Sequence, residues 1–157
     1  MIKVLFLDVD GTLTDGHIYM GNDGEVMKSF YAHDAVGLRN LVKSGVETII
    51  ITGRESNIVN IRGKEMNISE IYQNVNNKKE KVQEILKKKK IQKKEAAYIG
   101  DDENDYDAMK LCGHRACPSD AVKMIKDISN FVSNYKGGYG AVREYCEFLL
   151  EERKKEK

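Results

Sequence analysis

The chain has 157 residues, 41% of them hydrophobic and 32% charged, which is the composition of a globular domain with a core of its own. Lys and Arg number 26 against 25 Asp and Glu, and this near balance excludes the basic surface through which many proteins bind nucleic acid. The three cysteines have no paired spacing, and no apolar stretch is long enough for a signal peptide or a membrane span. We therefore expect a cytoplasmic protein that binds neither nucleic acid nor a membrane.

Apolar runs that end in polar residues predict the strands of a buried sheet. The strongest runs cover residues 3–9, 46–52 and 96–99, and weaker strands are predicted at 70–72, 115–117 and 130–132. The segments between them have helical periodicity, at 35–43, 56–66, 78–89, 104–111, 121–127 and 141–152. Strands that alternate with helices predict an α/β fold with a doubly wound parallel sheet, in a single domain over residues 1–157.

Residues 16–31 interrupt this alternation and predict a small β-hairpin. Strands are predicted at residues 17–20 and 25–30, on either side of the turn sequence Gly21-Asn22-Asp23-Gly24. The hairpin carries apolar side chains that so small an element cannot bury by itself, namely Ile18, Tyr19, Met20, Val26, Met27 and Phe30. We therefore expect the hairpin to pack against a partner subunit.

Polar residues follow the three strongest strands: Asp8 and Asp10 the first, Thr52 the second and Asp101 the third. Ligands of parallel α/β sheets collect at the carboxyl ends of the strands, so we expect these side chains to share a site. Asp8 and Asp10 flank Val9, and residues two apart on an extended strand point to the same side. Crowded carboxylates need a cation, and oxygen ligands without a histidine cluster favour magnesium over zinc.

The turn after the second strand indicates a phosphate site. Thr52-Gly53-Arg54 supplies a hydroxyl and backbone N–H groups at the start of a predicted helix. Lys78 begins the next helix and can bring a positive charge to the same phosphate. A carboxylate nucleophile, a divalent metal, amide donors and a lysine are the parts that phosphoryl transfer needs.

The same residues carry a family resemblance. Asp8-Val9-Asp10-Gly11-Thr12 resembles the DxDGT signature of the haloacid dehalogenase-like (HAD-like) phosphatase superfamily. Thr52 is similar to its second motif, Lys78 to its third, and Gly100-Asp101-Asp102-Glu103-Asn104-Asp105 to its fourth. The motifs stand in the family's order and cover essentially the whole chain. The resemblance implies a Rossmann-like, HAD-like fold and a magnesium-dependent phosphoric monoester hydrolase.

The resemblance also implies roles for individual residues. Asp8 attacks phosphorus and becomes an aspartyl-phosphate, and Asp10 protonates the leaving alcohol and then activates the hydrolytic water. The implied Mg²⁺ ligands are the carboxylates of Asp8 and Asp101 and the backbone carbonyl of Asp10. The phosphate is bound by Thr52, Gly53 and Lys78, and Arg54 either contacts the substrate or forms a surface ion pair. Asp102 and Asp105 either support the metal site from outside the direct ligands or cap the following helix.

The spacing of the motifs leaves no room for the cap domain that many relatives carry. An uncapped site must accept a large substrate or be closed by a neighbouring subunit. The hairpin, residues 30–37 and the sequence Gly137-Gly138-Tyr139-Gly140-Ala141-Val142-Arg143-Glu144 resemble the 3-deoxy-D-manno-octulosonate 8-phosphate phosphatase family. This resemblance implies a cytoplasmic homotetramer of lipopolysaccharide biosynthesis, in which the tail, residues 137–157, reaches a neighbouring active site.

Some positions leave alternatives open. Asp34-Ala35 and His33 stand where that family usually has Asp-Gly and Arg. Arg54 favours the eight-carbon sugar acid, because phosphatases of nine-carbon, sialic acid type 9-phosphates tend to carry Glu there; such a phosphatase remains the alternative. Another alternative is a non-enzymatic phospho-receiver domain, which would not need a general acid at Asp10. Arg143 either reads an acidic sugar or fixes the tail, and residues 137–140 form either a lid or a simple turn.

Overall fold

The structure, a computed structural model, describes residues 1–156. Its strands are β1 (Val4–Leu7), β2 (Tyr19–Gly21), β3 (Gly24–Met27), β4 (Glu47–Ile51), β5 (Glu70–Tyr72), β6 (Ala96–Ile99), β7 (His114–Cys117) and β8 (Phe131–Val132). Its helices are α1 (Ala32–Lys43), α2 (Asn57–Glu65), α3 (Lys78–Lys89), α4 (Tyr106–Met109), α5 (Lys123–Ile128) and α6 (Ala141–Lys155). Short 3-10 helices cover Lys93–Glu95 and Glu103–Asp105. Within the described part of the chain, no helix combines the length and the apolar character needed to cross a membrane.

The main sheet has six parallel strands in the order β5-β4-β1-β6-β7-β8, and β2 and β3 form a separate antiparallel hairpin. β1 lies between β4 and β6, with Leu7 in register with Ile50 on one side and Ile99 on the other. The three strongest predicted strands are therefore neighbours, and the residues that follow them emerge together at one edge. The predicted doubly wound α/β fold is confirmed.

The central strand is buried on both faces, which explains its continuous apolar sequence. Leu5 and Leu7 belong to a core with α1, α2 and α6, whereas Val4 and Phe6 belong to a core with α3, α4 and α5. All four side chains are fully buried. Burial of each contributes roughly 1.5–3 kcal/mol to the free energy of folding. The strand that carries the first motif is thus anchored from both sides.

The helix predicted at 104–111 forms only in part. Its first part is the 3-10 helix Glu103–Asp105, and only Tyr106–Met109 are α-helical. The Asp105 carboxylate accepts hydrogen bonds from the backbone N–H groups of Asp101 and Asp102. This side chain closes a tight turn after β6, which replaces the first turn of the predicted helix.

The hairpin has shorter strands than predicted, joined by the two residues Asn22 and Asp23, and its register shifts between Tyr19 and Met20. A bridge between Thr14 and Phe30 closes its base. The hairpin thus rises directly from the loop that follows β1.

The last helix runs beyond its predicted end at residue 152. Helix α6 continues to Lys155 because Arg153 is tied to the rest of the fold. Its guanidinium donates to the carbonyls of Ile2 at 2.6 Å and Ser44 at 2.7 Å. These contacts stabilise a last turn that helical periodicity alone does not predict.

Candidate active site

A cavity of 180 Å³ opens where β1, β4 and β6 end. Most of the predicted site residues line it, together with one further residue: Asp8, Asp10, Thr52, Gly53, Arg54, Asp101, Asp102 and Asn104. Lys78 and Asp105 do not line the cavity, because both are buried beside its carboxylates. Strands that are distant in sequence thus bring all of the predicted site residues into one region.

Lys78, the first residue of α3, bridges two buried carboxylates. Its Nζ donates to Asp8 Oδ1 at 2.7 Å and to Asp105 Oδ1 at 2.8 Å. Only 1% of the Lys78 side chain is exposed. Burial alone would lower the pKa of Lys78, but the two carboxylates hold it well above its usual value. Lys78 is therefore a permanent positive charge fixed against Asp8.

Asp105 is fully buried, and both of its carboxylate oxygens are hydrogen-bonded. Oδ1 accepts from Lys78 and from the Tyr98 hydroxyl at 2.7 Å, and Oδ2 accepts from two backbone N–H groups. Burial raises the pKa of Asp105, and the charge of Asp8 adds to this effect, while Lys78 and Tyr98 oppose it. With its oxygens occupied, Asp105 orients Lys78 and the turn after β6 and has little capacity left to bind a metal directly. Tyr98 in this network was missed from the sequence, where it reads only as an apolar strand residue.

Three carboxylates lie close together beside the cavity. Oxygens of Asp8, Asp101 and Asp105 lie within 4.8 Å of one another. Burial raises the pKa of Asp101 well above its usual value, and the neighbouring carboxylates of Asp8 and Asp105 raise it further. A divalent cation would stabilise the ionised Asp101 and relieve this repulsion. Because Asp8 and Asp101 offer hard oxygen donors, the site fits magnesium.

The glycine of the first motif makes room for Asp101. Gly11 has φ of +87°, and a Cβ at this position would lie 2.0 Å from Asp101 Oδ2. The hydroxyl of Thr12 donates to the other Asp101 oxygen at 3.3 Å. The loop after β1 therefore positions the Asp101 carboxylate as well as carrying Asp8 and Asp10.

Asp10 has a partner that the sequence analysis missed. Lys28, just beyond β3, donates from Nζ to Asp10 Oδ1 at 2.5 Å and to Glu25 Oε2 at 3.0 Å. The side chain of Lys28 is 1% exposed. In the sequence Lys28 stands between Met27 and Ser29 of the hairpin, and no motif marks it. The hairpin thus contributes directly to the candidate site.

The sequence left two alternative roles for each of Arg54, Asp102 and Arg143, and the structure shows the surroundings of all three. Arg54 lines the cavity and also forms an ion pair with Glu25, with Nε and Oε2 3.3 Å apart. Asp102 accepts a hydrogen bond from the Glu103 N–H at 2.8 Å, as a cap of the 3-10 helix, while lining the cavity. Arg143 lies outside this cavity.

Arg143 connects the start of α6 to α1. Its guanidinium donates to the carbonyl of His33 at 3.3 Å and to Glu147 at 2.6 Å, and its N–H donates to Asp34 at 2.9 Å. It lines a separate cavity of 380 Å³ beside Tyr31 and His33. These contacts support the role of fixing the tail.

The Gly-rich segment packs against its own chain. A Cβ on Gly137 would lie 1.9 Å from the Gly11 carbonyl oxygen, and one on Gly138 would lie 2.5 Å from the Asp15 nitrogen. The Gly138 N–H donates to the Thr12 carbonyl at 3.3 Å. Residues 137 and 138 therefore brace the loop after β1 of their own chain and do not line its cavity. Closure of a neighbouring subunit's site by this segment stays a prediction.

Comparison with known proteins finds one matching family and several similar phosphatases. Residues 55–144 match the model of a family described as haloacid dehalogenase-like hydrolase. The chain is 40% identical over 149 residues to the 3-deoxy-D-manno-octulosonate 8-phosphate phosphatase KdsC of Escherichia coli strain K12, covering 95% of this chain and 79% of that protein.

Solved structures show the same similarity. The 3-deoxy-D-manno-octulosonate 8-phosphate phosphatase of Moraxella catarrhalis, in complex with magnesium ion, phosphate ion and KDO, aligns with a TM-score of 0.92 at 39% identity, covering 96% of this chain and 86% of that one. The cobalt-bound phosphatase from Haemophilus influenzae aligns with a TM-score of 0.91 at 31% identity, covering 96% and 88%.

Proposed function

The chain belongs to the haloacid dehalogenase-like hydrolase family, and we propose that it hydrolyses 3-deoxy-D-manno-octulosonate 8-phosphate to the free sugar acid and phosphate. The observation that carries this proposal is the position of Asp8 directly after the carboxyl end of β1, close to both Lys78 and the Asp101 carboxylate. The relatives named for this reaction cover nearly all of the chain, which supports the substrate.

Asp8 is the proposed nucleophile. It lines the cavity, and its Oδ1 is held by Lys78, which fixes the direction of the carboxylate. In the first step an Asp8 oxygen forms a bond to phosphorus, while the bond from phosphorus to the sugar oxygen breaks. The electron pair stays on that oxygen, which takes a proton from Asp10.

The second step regenerates the enzyme. The oxygen of a water molecule forms a bond to phosphorus and gives a proton to Asp10, while the bond between phosphorus and Asp8 breaks. Asp10 lines the cavity and one of its oxygens is fixed by Lys28, so the other is available for this proton. The hydroxyl of Thr52, the N–H of Gly53 and the charge of Lys78 are proposed to stabilise the phosphoryl group.

Magnesium is the cofactor that fits the site. The carboxylates of Asp8 and Asp101 and the backbone carbonyl of Asp10 are the proposed ligands, with Asp102 and Asp105 outside the direct contacts. When bound, the ion offsets the negative charge of the phosphate and of the carboxylates around it.

The small cavity supports closure by a second subunit. Its 180 Å³ is below the roughly 300–1,000 Å³ of pockets that enclose a whole small ligand. The chain has no cap over it within residues 1–156, and the hairpin exposes the apolar side chains of Tyr19, Met20, Val26 and Met27. We therefore propose that the protein is a cytoplasmic homo-oligomer, most simply the expected tetramer, built from one domain per chain and joined through these hairpins.

The test is a comparison of kcat/KM for eight-carbon and nine-carbon sugar acid phosphates and for hexose phosphates. The proposal predicts that the eight-carbon acid is preferred, that Mg²⁺ is required, and that Asp8→Asn abolishes turnover. Asp127→Asn, at an exposed ion pair with Lys123, is the matched control and should retain activity. Preference for the nine-carbon acid would contradict the proposed substrate but not the assignment as a phosphate hydrolase. Equal rates for Asp8→Asn and wild type would contradict the assignment of Asp8 as the nucleophile.

A further inference from the structure

The ammonium group of Lys28 is buried against the candidate site without belonging to any recognised motif. Its side chain is 1% exposed, and Nζ lies 2.5 Å from Asp10 Oδ1 and 3.0 Å from Glu25 Oε2. An ammonium group taken out of water is costly unless it is paired and hydrogen-bonded. Such a placement needs an explanation beyond the folding of a small hairpin.

The hairpin presents two different sides. Val26 and Met27 are 60% and 51% exposed, whereas the side chains of Glu25 and Lys28 are 8% and 1% exposed and point to the site. Glu25 Oε2 accepts hydrogen bonds from both Lys28 and Arg54, so it holds the lysine by a second contact besides Asp10. The hairpin therefore places Lys28 on the Asp10 carboxylate from a separate element of the fold.

From this geometry we infer that Lys28 is a positioning residue that holds Asp10 for its role as the base in hydrolysis of the aspartyl-phosphate. The inference rests on the proposed function. Lys28 is hydrogen-bonded to Oδ1 of Asp10, and the Asp10 side chain, which lines the cavity, is still 21% exposed. Oδ2 of Asp10 is therefore left to accept the proton of water. A carboxylate free to rotate would present this oxygen in the required position for only part of the time.

The step affected is one with a defined exchange of bonds. Water oxygen bonds to phosphorus, the bond from phosphorus to the Asp8 oxygen breaks with its electron pair returning to Asp8, and one water proton passes to Asp10 Oδ2. The preceding attack of Asp8 on an aryl phosphate needs no proton from Asp10, because p-nitrophenolate leaves as an anion. Loss of Lys28 should therefore slow the second step and spare the first.

The test is quenched-flow kinetics with p-nitrophenyl phosphate and Mg²⁺ on wild type, Lys28→Met and the exposed-lysine control Lys123→Met. Release of p-nitrophenol in the first turnover measures attack by Asp8, and the decay of protein-bound phosphate measures hydrolysis. For Lys28→Met we expect the first rate within about threefold of wild type and hydrolysis slowed about 10- to 100-fold. The aspartyl-phosphate should then accumulate on almost every active site, and Lys123→Met should behave as wild type.

A purely structural role gives a different result. If Lys28 only supports folding, the burst amplitude and both rates fall together, and this outcome overturns the inference, as does an unchanged rate of hydrolysis. Failure of the proposed function is distinguishable, since wild type would then form no phosphoenzyme and Asp8→Asn would equal wild type.

A second variant removes the risk that a lone buried charge unfolds the hairpin. Glu25→Gln combined with Lys28→Met removes both members of the buried ion pair and leaves groups of similar size. We expect this double variant to melt closer to wild type than Lys28→Met does, and to keep the slow hydrolysis. Recovery of wild-type hydrolysis in the double variant would show that Lys28 does not position Asp10.

Discussion

Replacing Lys78 by Met should destabilise the protein more than any other single lysine change at this site. Lys78 is 1% exposed in its side chain and makes hydrogen bonds of 2.7 and 2.8 Å to two carboxylates. Met fills the space of the aliphatic chain but leaves Asp8 and Asp105 without their cation. Removing one partner of a buried ion pair costs about 3–5 kcal/mol, so we expect a loss of this size in the free energy of unfolding.

The assay is urea unfolding with and without Mg²⁺, with Lys81→Met as the control. Lys81 lies one turn further along α3, where its ion pair with Glu84 is 3.3 Å long and partly exposed, so its loss should cost less than about 1 kcal/mol. Mg²⁺ should reduce the loss in Lys78→Met, because a divalent cation near Asp8 offsets the uncompensated charge. Phosphatase activity of Lys78→Met should fall at least about 100-fold.

Two outcomes would refute this reasoning. If Lys78→Met and Lys81→Met lose the same small amount of stability, Lys78 does not bridge buried carboxylates. If stability falls as expected while kcat/KM stays at the wild-type level, the bridge is structural and Lys78 does not stabilise the reacting phosphoryl group.

Further predictions concern Asp34 and Gly11. Burial raises the pKa of Asp34 from 3.8 to about 7, so the folded protein keeps this carboxyl protonated in a range where the unfolded chain has ionised it, and stability is lost as the pH rises from 3.8 to about 7. At pH 8 the free energy of unfolding of Asp34→Asn, measured with urea, should therefore exceed that of wild type by up to about 4 kcal/mol, and this gain should shrink toward pH 4. A gain that does not depend on pH would contradict this prediction. Gly11→Ala should weaken Mg²⁺ binding, measured by calorimetry, at least about tenfold, because the added Cβ displaces the Asp101 carboxylate. The control is Gly24→Ala, since Gly24 also has a positive φ but a Cβ there meets nothing within 4 Å. This control should bind Mg²⁺ as wild type does. Equal Mg²⁺ affinities in the two glycine variants would refute the close approach of Gly11 to Asp101.

The parts of the fold that could be predicted are those that depend on the local sequence pattern. The runs that became β1 and β6 are apolar throughout, and that of β4 is apolar over its last three residues, because both faces of these strands are buried. Their polar ends mark the edge where the cavity opens, so the candidate site could be located before its geometry was known. Helix α3 has its predicted bounds, since Asn77 caps its first turn and Lys90 ends it with a left-handed backbone.

The parts that could not be predicted depend on contacts between distant elements. Lys28 and Glu25 reach the site only because the hairpin folds over the loop after β1, and no local pattern records this approach. The 3-10 helix after β6 is set by the side chain of Asp105 and not by helix propensity. The braced position of Gly137 likewise depends on a partner in the loop after β1, more than 100 residues earlier in the chain.

The covalent role of Asp8 is tested most directly by trapping the intermediate. The protein is mixed with substrate and Mg²⁺, quenched, and reduced with borohydride, which converts an aspartyl-phosphate into homoserine, and the modified peptide is identified by mass spectrometry. The account predicts homoserine in place of Asp8 and nowhere else, with none formed when substrate is omitted. Modification at another carboxylate, or full turnover with no modified peptide, would contradict it.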